Sequence, residues 1–240
     1  VELIRDAVNA VQRNLGALGI YMGIMLVTSI AANYANFWMD APPENPYANP
    51  NLVMYEVVLN LFLVFAAALA QSIAFARLGK DIDRPLWKIS GDVEAIKKYL
   101  PLWAGLNAIV ILIQILTGWS VSTFGGSAAS GFLFIAMLLA VILYIPAGAS
   151  LMFLRTPEWT HLQEAVRPLL RQFPKTLVIL ALTGVLFLLQ ISLIAGTEAQ
   201  PWLRPLVDIT FAYFDCVIFS AVWLLFMYDR QAPEEVDLDF

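Results

Sequence analysis

Three ionisable residues interrupt the last long apolar stretch of the chain, Arg204, Asp208 and Asp215, spaced four and then seven residues apart. On a helix that spacing puts all three on one stripe. Arg204 and Asp208 can then pair on adjacent turns, while Asp215 has no cation close in sequence. Other apolar stretches carry Glu56 and, one turn on, Asn60, then Gln71, Asn107, Gln114 and Gln190. If these stretches cross a bilayer, an ionisable group costs about 2.5–3.5 kcal/mol at a helix centre, so each one calls for a partner or a task. Two readings stand side by side. In one, the groups are interhelical bonds contributing about 0.6 kcal/mol each, with Arg204 clipping Glu56 and Asp208 together. In the other, they form a site for a polar or cationic ligand, or Asp215 titrates with a proton.

The remaining chemistry-bearing residues narrow the field. His161, the single histidine, lies in the polar segment TPEWTHLQEAV, so no apolar stretch offers an imidazole for haem. Cys216 is the single cysteine, which excludes an intramolecular disulfide and a cysteine metal cluster, and its apolar neighbours in AYFDCVIFS favour an inert packed thiol. Ser-His-Asp, HExxH, CxxC and paired-carboxylate motifs are missing from the loops, and Gly125-Gly126-Ser127 and Ser130-Gly131 follow no strand that would make them a phosphate cradle. The expectation is a chain that is not an enzyme, with no catalytic residues, metal or cofactor, and no nucleic-acid partner.

The elements that position these residues follow from composition. A bilayer core of roughly 30 Å takes about 20 apolar residues per helix. Six stretches meet that length with almost no internal charge, near residues 15–36, 52–76, 102–124, 131–154, 177–195 and 202–228. With 60% hydrophobic residues in 240, six such helices cannot all be interior to a soluble domain, because nothing remains to cover them. Their continuous apolar character also disfavours an alternating β-barrel. The expected fold is all-α and polytopic: one six-helix transmembrane domain over 1–231 and an acidic tail, APEEVDLDF, over 232–240. No cleavable signal peptide is expected, since the first apolar run lacks a small-x-small site and leads to further spans.

Basic residues set the orientation. Arg5 and Arg13 precede span one, Arg77 to Lys98 lie between spans two and three, Arg155 to Lys175 between four and five, and Arg230 follows six; Arg204 alone falls opposite. The positive-inside rule puts both termini in the cytoplasm. The outer loops are short, and Trp38, Tyr47, Trp119 and Trp202 fit an aromatic belt. With these directions Glu56, Asn60, Gln114, Gln190 and Asp208 all fall in the outer half, where they are expected to converge on one outward polar pocket.

A phrase recurs before each outgoing span. Val8-x-Ala10-Val11-x-Arg13-x-Leu15 matches Val93-x-Ala95-Ile96-x-Lys98-x-Leu100 and Val166-x-Pro168-Leu169-x-Arg171-x-Phe173 at constant offsets. The chain therefore reads as three units, each a cytoplasmic amphipathic helix followed by a transmembrane hairpin. In the middle copy Val93, Ile96 and Leu100 share one helix face. Such a face would lie on the membrane, with Arg13, Lys97, Lys98 and Arg171 near anionic headgroups.

Six spans, internal termini and a lead-in helix before each hairpin, carried by IRDAVNAVQRNLGALG and LQEAVRPLLRQFPKTL, resemble the YciC-type membrane proteins and the related membrane domain fused to some glycerophosphodiester phosphodiesterases. The resemblance is architectural and implies no site residues; the outer loop APPENPYANP and the acidic tail depart from it. It implies a bacterial inner-membrane, multi-pass protein. The functional expectation is a non-catalytic subunit that scaffolds or stabilises a larger membrane complex, in contact with lipids and other membrane subunits. The alternative is a transporter or channel component using the outward pocket.

Overall fold

The computed structural model describes residues 2–38, 50–82, 89–124, 128–154, 162–197 and 200–231. The acidic tail, the Pro-rich outer loop and His161 lie outside the described residues, and Glu56 is described for its backbone alone. The elements are α1 (Glu2–Arg13), α2 (Leu15–Trp38), α3 (Pro50–Ile82), α4 (Asp92–Phe124), α5 (Ala128–Phe153), α6 (Leu162–Arg171), α7 (Phe173–Gly196) and α8 (Arg204–Gln231), the last preceded by a single 3-10 turn at Pro201–Leu203. Among the described residues all regular structure is helical, and six helices are long and apolar enough to cross a membrane. The chain is a multi-pass, all-α protein by that measure.

α8 is the hub. Of its span, 67% is buried against 11% for α7, and it touches α1, α2, α3, α5, α6 and α7. Its sequence explains this: the consecutive residues 216–223 are all buried and set small, branched and aromatic side chains around the whole circumference, as a helix packed on all sides requires. In lipid, helices associate through close van der Waals packing and interhelical hydrogen bonds, so small residues mark the contacts. On α3 the stripe Ala68, Ser72, Phe75 and Gly79 is fully buried by this logic, and Trp223 of α8 fills the space over Gly79.

The core is confined to the half of the bundle that carries α1. α5 has its fully buried residues from Ile145 to Phe153, and none of the described side chains from 131 to 144 is fully buried. α7 buries Thr176 and Ile179, both near its start. An aromatic cluster fills this half. Phe75 stacks on Phe219 at 4.3 Å and meets Trp103 edge-on at 5.0 Å, while Phe153 stands edge-on to Trp223 at 5.1 Å.

The lead-in segments differ from one another. α1 and α6 are separate helices, broken at Asn14 and Gln172, which occupy aligned positions in the repeated phrase. Both carry short amides that take local bonds: Asn14 Nδ2 donates to the Ala10 carbonyl at 3.0 Å, and Gln172 Oε1 accepts from Lys175 Nζ at 2.9 Å. The middle copy has Tyr99 at that position, fully buried, and α4 runs unbroken from Asp92 through Pro101. The expected separate helix before span three is therefore the first turns of one 33-residue helix. Its buried side is Ala95, Tyr99 and Leu102, and Val93, expected on the apolar face, is 67% exposed. In α1, Ala7, Ala10 and Val11 are fully buried against the rest of the protein.

Candidate functional site

One polar chain ties five of the six long helices together inside the packed half. Asn107 of α4 donates Nδ2 to Gln71 Oε1 of α3 at 3.0 Å. Gln71 Nε2 donates to the Tyr144 hydroxyl of α5 and, at 3.4 Å, to the Tyr21 hydroxyl of α2. Tyr21 in turn donates to Asp215 Oδ2 of α8 at 2.9 Å. Gln71 is fully buried, Tyr21 nearly so, Asn107 buried, and Tyr144 and Asp215 half-buried.

The elements dictate this meeting. α2 and α8 run antiparallel, so Tyr21 and Ser29, eight residues apart, face Asp215 and Asp208, seven apart. The second pair closes at 2.5 Å, from Ser29 Oγ to Asp208 Oδ2. Gln71 projects from the small-residue face of α3, where Ala68, Ala70 and Ala74 let the neighbouring backbones come close. The Asn107 amide also reaches the Val64 carbonyl, at 3.5 Å.

The chain has a direction. From Asn107 through Gln71 and Tyr21 every donor points toward Asp215, so three aligned dipoles present their positive ends to that carboxylate. Serial hydrogen bonds polarise one another, and in a low-dielectric interior the effect is larger than in water. Among the described residues no cation pairs with Asp215, and these dipoles are what the structure offers to a charge there. The arrangement holds helices together, and its hydroxyl and carboxylate groups are of a type that can relay a proton.

The residues expected to form an outward pocket are arranged otherwise. Asp208 is taken by Ser29, and among the described ion pairs none joins it to Arg204, which is exposed. Asn60 and Gln190 are half-buried and Gln114 is exposed. Among the described residues no hydrogen bond links these three to one another, to Arg204 or to Asp208. Of the residues singled out in sequence, Asp215 gains partners, together with Gln71 and Asn107. Tyr21 and Tyr144 were missed because a tyrosine in an apolar run reads as packing. The available signal was their depth: both lie well inside a span, away from the interface where Tyr usually sits, and a buried hydroxyl needs a partner.

At the α1 end, Arg13 lies 3.9 Å from Asp81 and Arg171 3.9 Å from Asp229, while Lys97 is exposed and Lys98 stands 5.4 Å from the Tyr99 ring centre. Among the described residues no group of three or more His, Cys, Asp or Glu side chains is placed to hold a metal ion. No protein-family model, curated protein or solved structure matches the chain.

The geometry separates two single substitutions. Tyr21→Phe removes the donor to Asp215 and should lower stability by about 1.5–3 kcal/mol if the carboxylate is charged. Asp215→Asn keeps an oxygen for Tyr21 and should cost less than about 1 kcal/mol. Thermal unfolding of the detergent-solubilised variants orders them; a larger loss for Asp215→Asn than for Tyr21→Phe would mean that the charge itself matters beyond this bond.

Proposed function

We propose that the chain is a non-catalytic integral subunit that scaffolds or stabilises a larger membrane protein complex. The observation that carries this reading is the five-helix polar chain: Asn107, Gln71, Tyr144, Tyr21 and Asp215 are bonded to one another inside the packed half. Gln114 adds the partner. It is exposed on α4 inside the candidate span Asp92–Ser120, six residues, about 9 Å, before its end at 1.5 Å per residue. An amide at that depth is relieved by a hydrogen bond to another helix, and another chain's helix would supply it.

The finer topology belongs to the same proposal: a bacterial inner membrane, both termini cytoplasmic, lipid contact through the basic end, and kinship in architecture with the YciC-type proteins. The three-unit repeat is supported by one equivalence. Arg13 and Arg171 are aligned in the repeated phrase, and each pairs with an aspartate at the end of its own unit's returning span, Asp81 and Asp229.

Purification in mild detergent followed by identification of stoichiometric partners tests the scaffold reading. Gln114→Leu is expected to lower partner recovery severalfold with the abundance of the chain unchanged; recovery of the native protein as a lone homogeneous monomer overturns the reading. The second reading, a transporter or channel component, rests on Asp215 and its lack of a paired cation among the described residues. It requires that Asp215→Asn abolish a transport phenotype while the protein remains abundant.

A further inference from the structure

Away from the polar chain, a cleft of about 220 Å³ opens where α3 ends and α4 begins. Arg77, Lys80 and Asp92 line it, together with Ser90 and Gly91 just before the α4 N-terminus. Its carboxylates are engaged. Asp92 accepts from Arg77 Nε at 2.9 Å and Nη2 at 2.5 Å, which leaves Nη1 outside that pair. Glu94 is drawn back onto Ser90, accepting from its N–H at 2.9 Å and its Oγ at 2.6 Å. Asp81, beside Lys80 in sequence, lies 3.9 Å from Arg13. Lys80 is exposed, and among the described ion pairs it has no carboxylate.

Two cations thus face the cleft against one carboxylate. The helix adds to them: the Ala95 N–H bonds the Gly91 carbonyl, so the N–H groups of the turn before it have no helical acceptor. That end of a long helix also carries the positive pole of its dipole. The cleft therefore combines a half-open volume, an exposed ammonium outside the described ion pairs and backbone donors with no helical acceptor. It lies at the margin of two spans, beside the exposed Val93 and at the level where Arg77 meets the apolar α3.

We propose that this cleft binds a phosphate group, that of an anionic phospholipid headgroup, held by Lys80 and the α4 N-terminus with the Arg77–Asp92 pair as its wall. This goes beyond the scaffold reading and does not depend on it. Free phosphate shares the chemistry, and the test separates the two sources. The full chain is placed in phosphatidylcholine nanodiscs containing a small fraction of phosphatidylglycerol, and retained lipid is counted by native mass spectrometry, with and without inorganic phosphate. One phosphatidylglycerol should be retained selectively, and Lys80→Gln should reduce its occupancy about fivefold, the value of one interfacial cation. Arg204→Gln, which removes an exposed cation of α8 outside the cleft, should leave occupancy unchanged. Displacement of the lipid by millimolar phosphate, again weakened by Lys80→Gln, would keep the anion site and assign it to a soluble phosphate. Equal losses in Lys80→Gln and Arg204→Gln, or no selectivity for phosphatidylglycerol, would overturn the proposal.

Discussion

Gly148→Ala is expected to destabilise the protein by about 3 kcal/mol, the upper range for overpacking a core. A Cβ at this position would stand 2.1 Å from the Trp103 ring edge, well inside contact distance. Trp103 has no room to yield. It is fully buried, its Nε1 donates to the Met152 sulfur at 3.2 Å, and Phe75 and Tyr144 stand against its ring with centroids at 5.0 and 5.9 Å. The sign is informative, because Ala is favoured over Gly in a helix interior by roughly 0.5–1 kcal/mol. Where nothing lies within 4 Å of the added carbon, as at Gly23, Ala should be neutral or mildly stabilising. Gly79→Ala, with its contact to Trp223 at 2.9 Å, should fall between them. Thermal stability of detergent-solubilised protein by size-exclusion chromatography gives the order. Trp103→Phe should partly rescue Gly148→Ala, since it removes the ring edge that the new methyl meets; failure of that rescue would place the clash elsewhere.

Gln71→Leu carries the second large effect. The leucine matches the size of the amide but takes away two donated bonds and one accepted bond at once. Interhelical hydrogen bonds in membranes contribute about 0.6 kcal/mol on average and up to about 1.7. A residue at the junction of the chain also leaves its partners unsatisfied, which adds the cost of a stranded donor. A loss of about 2 kcal/mol is expected. Asn107→Leu should cost less, about 1 kcal/mol, because it ends the chain. The double variant should fall short of the sum, since both changes break the same bond. Strict additivity would show that Gln71 and Asn107 act independently and that the chain is not a unit.

Both effects arise from residues whose partners are distant in sequence. Gly148 reads as one more small residue in an apolar run, and only the approach of Trp103 across 45 positions makes it indispensable. Tyr144 likewise acquires a role when α3 brings Gln71 against it. Asp215 was conspicuous because a carboxylate in an apolar run is costly wherever it ends up. Its partner Tyr21 was not, because a phenol ring is compatible with lipid and its hydroxyl reveals its need only when buried.

Among the described residues expected to line an outward pocket, no hydrogen bond joins Asn60, Gln114, Gln190 or Asp208 to one another. Sequence spacing gives position along each span. It does not give the direction in which each helix faces within the bundle, which is set by packing. Nor does it give how far along a span the packing extends: Asn107 and Gln114, seven residues apart, lie on one face of α4, yet Asn107 is buried and Gln114 exposed, while Asp208 is taken by Ser29 of α2.

By itself the sequence determined that this protein is helical and that six of its helices are long and apolar enough to cross a membrane. These are properties of composition and local spacing, set by the thickness of a bilayer. The tertiary structure alone decided which helix is the hub, that the core fills the α1 half, and which polar groups meet across five helices. In a membrane every face of every span is apolar enough to meet lipid, so hydrophobic pattern cannot say which face meets protein. That choice is made by close packing of small and aromatic side chains, a property of pairs of helices.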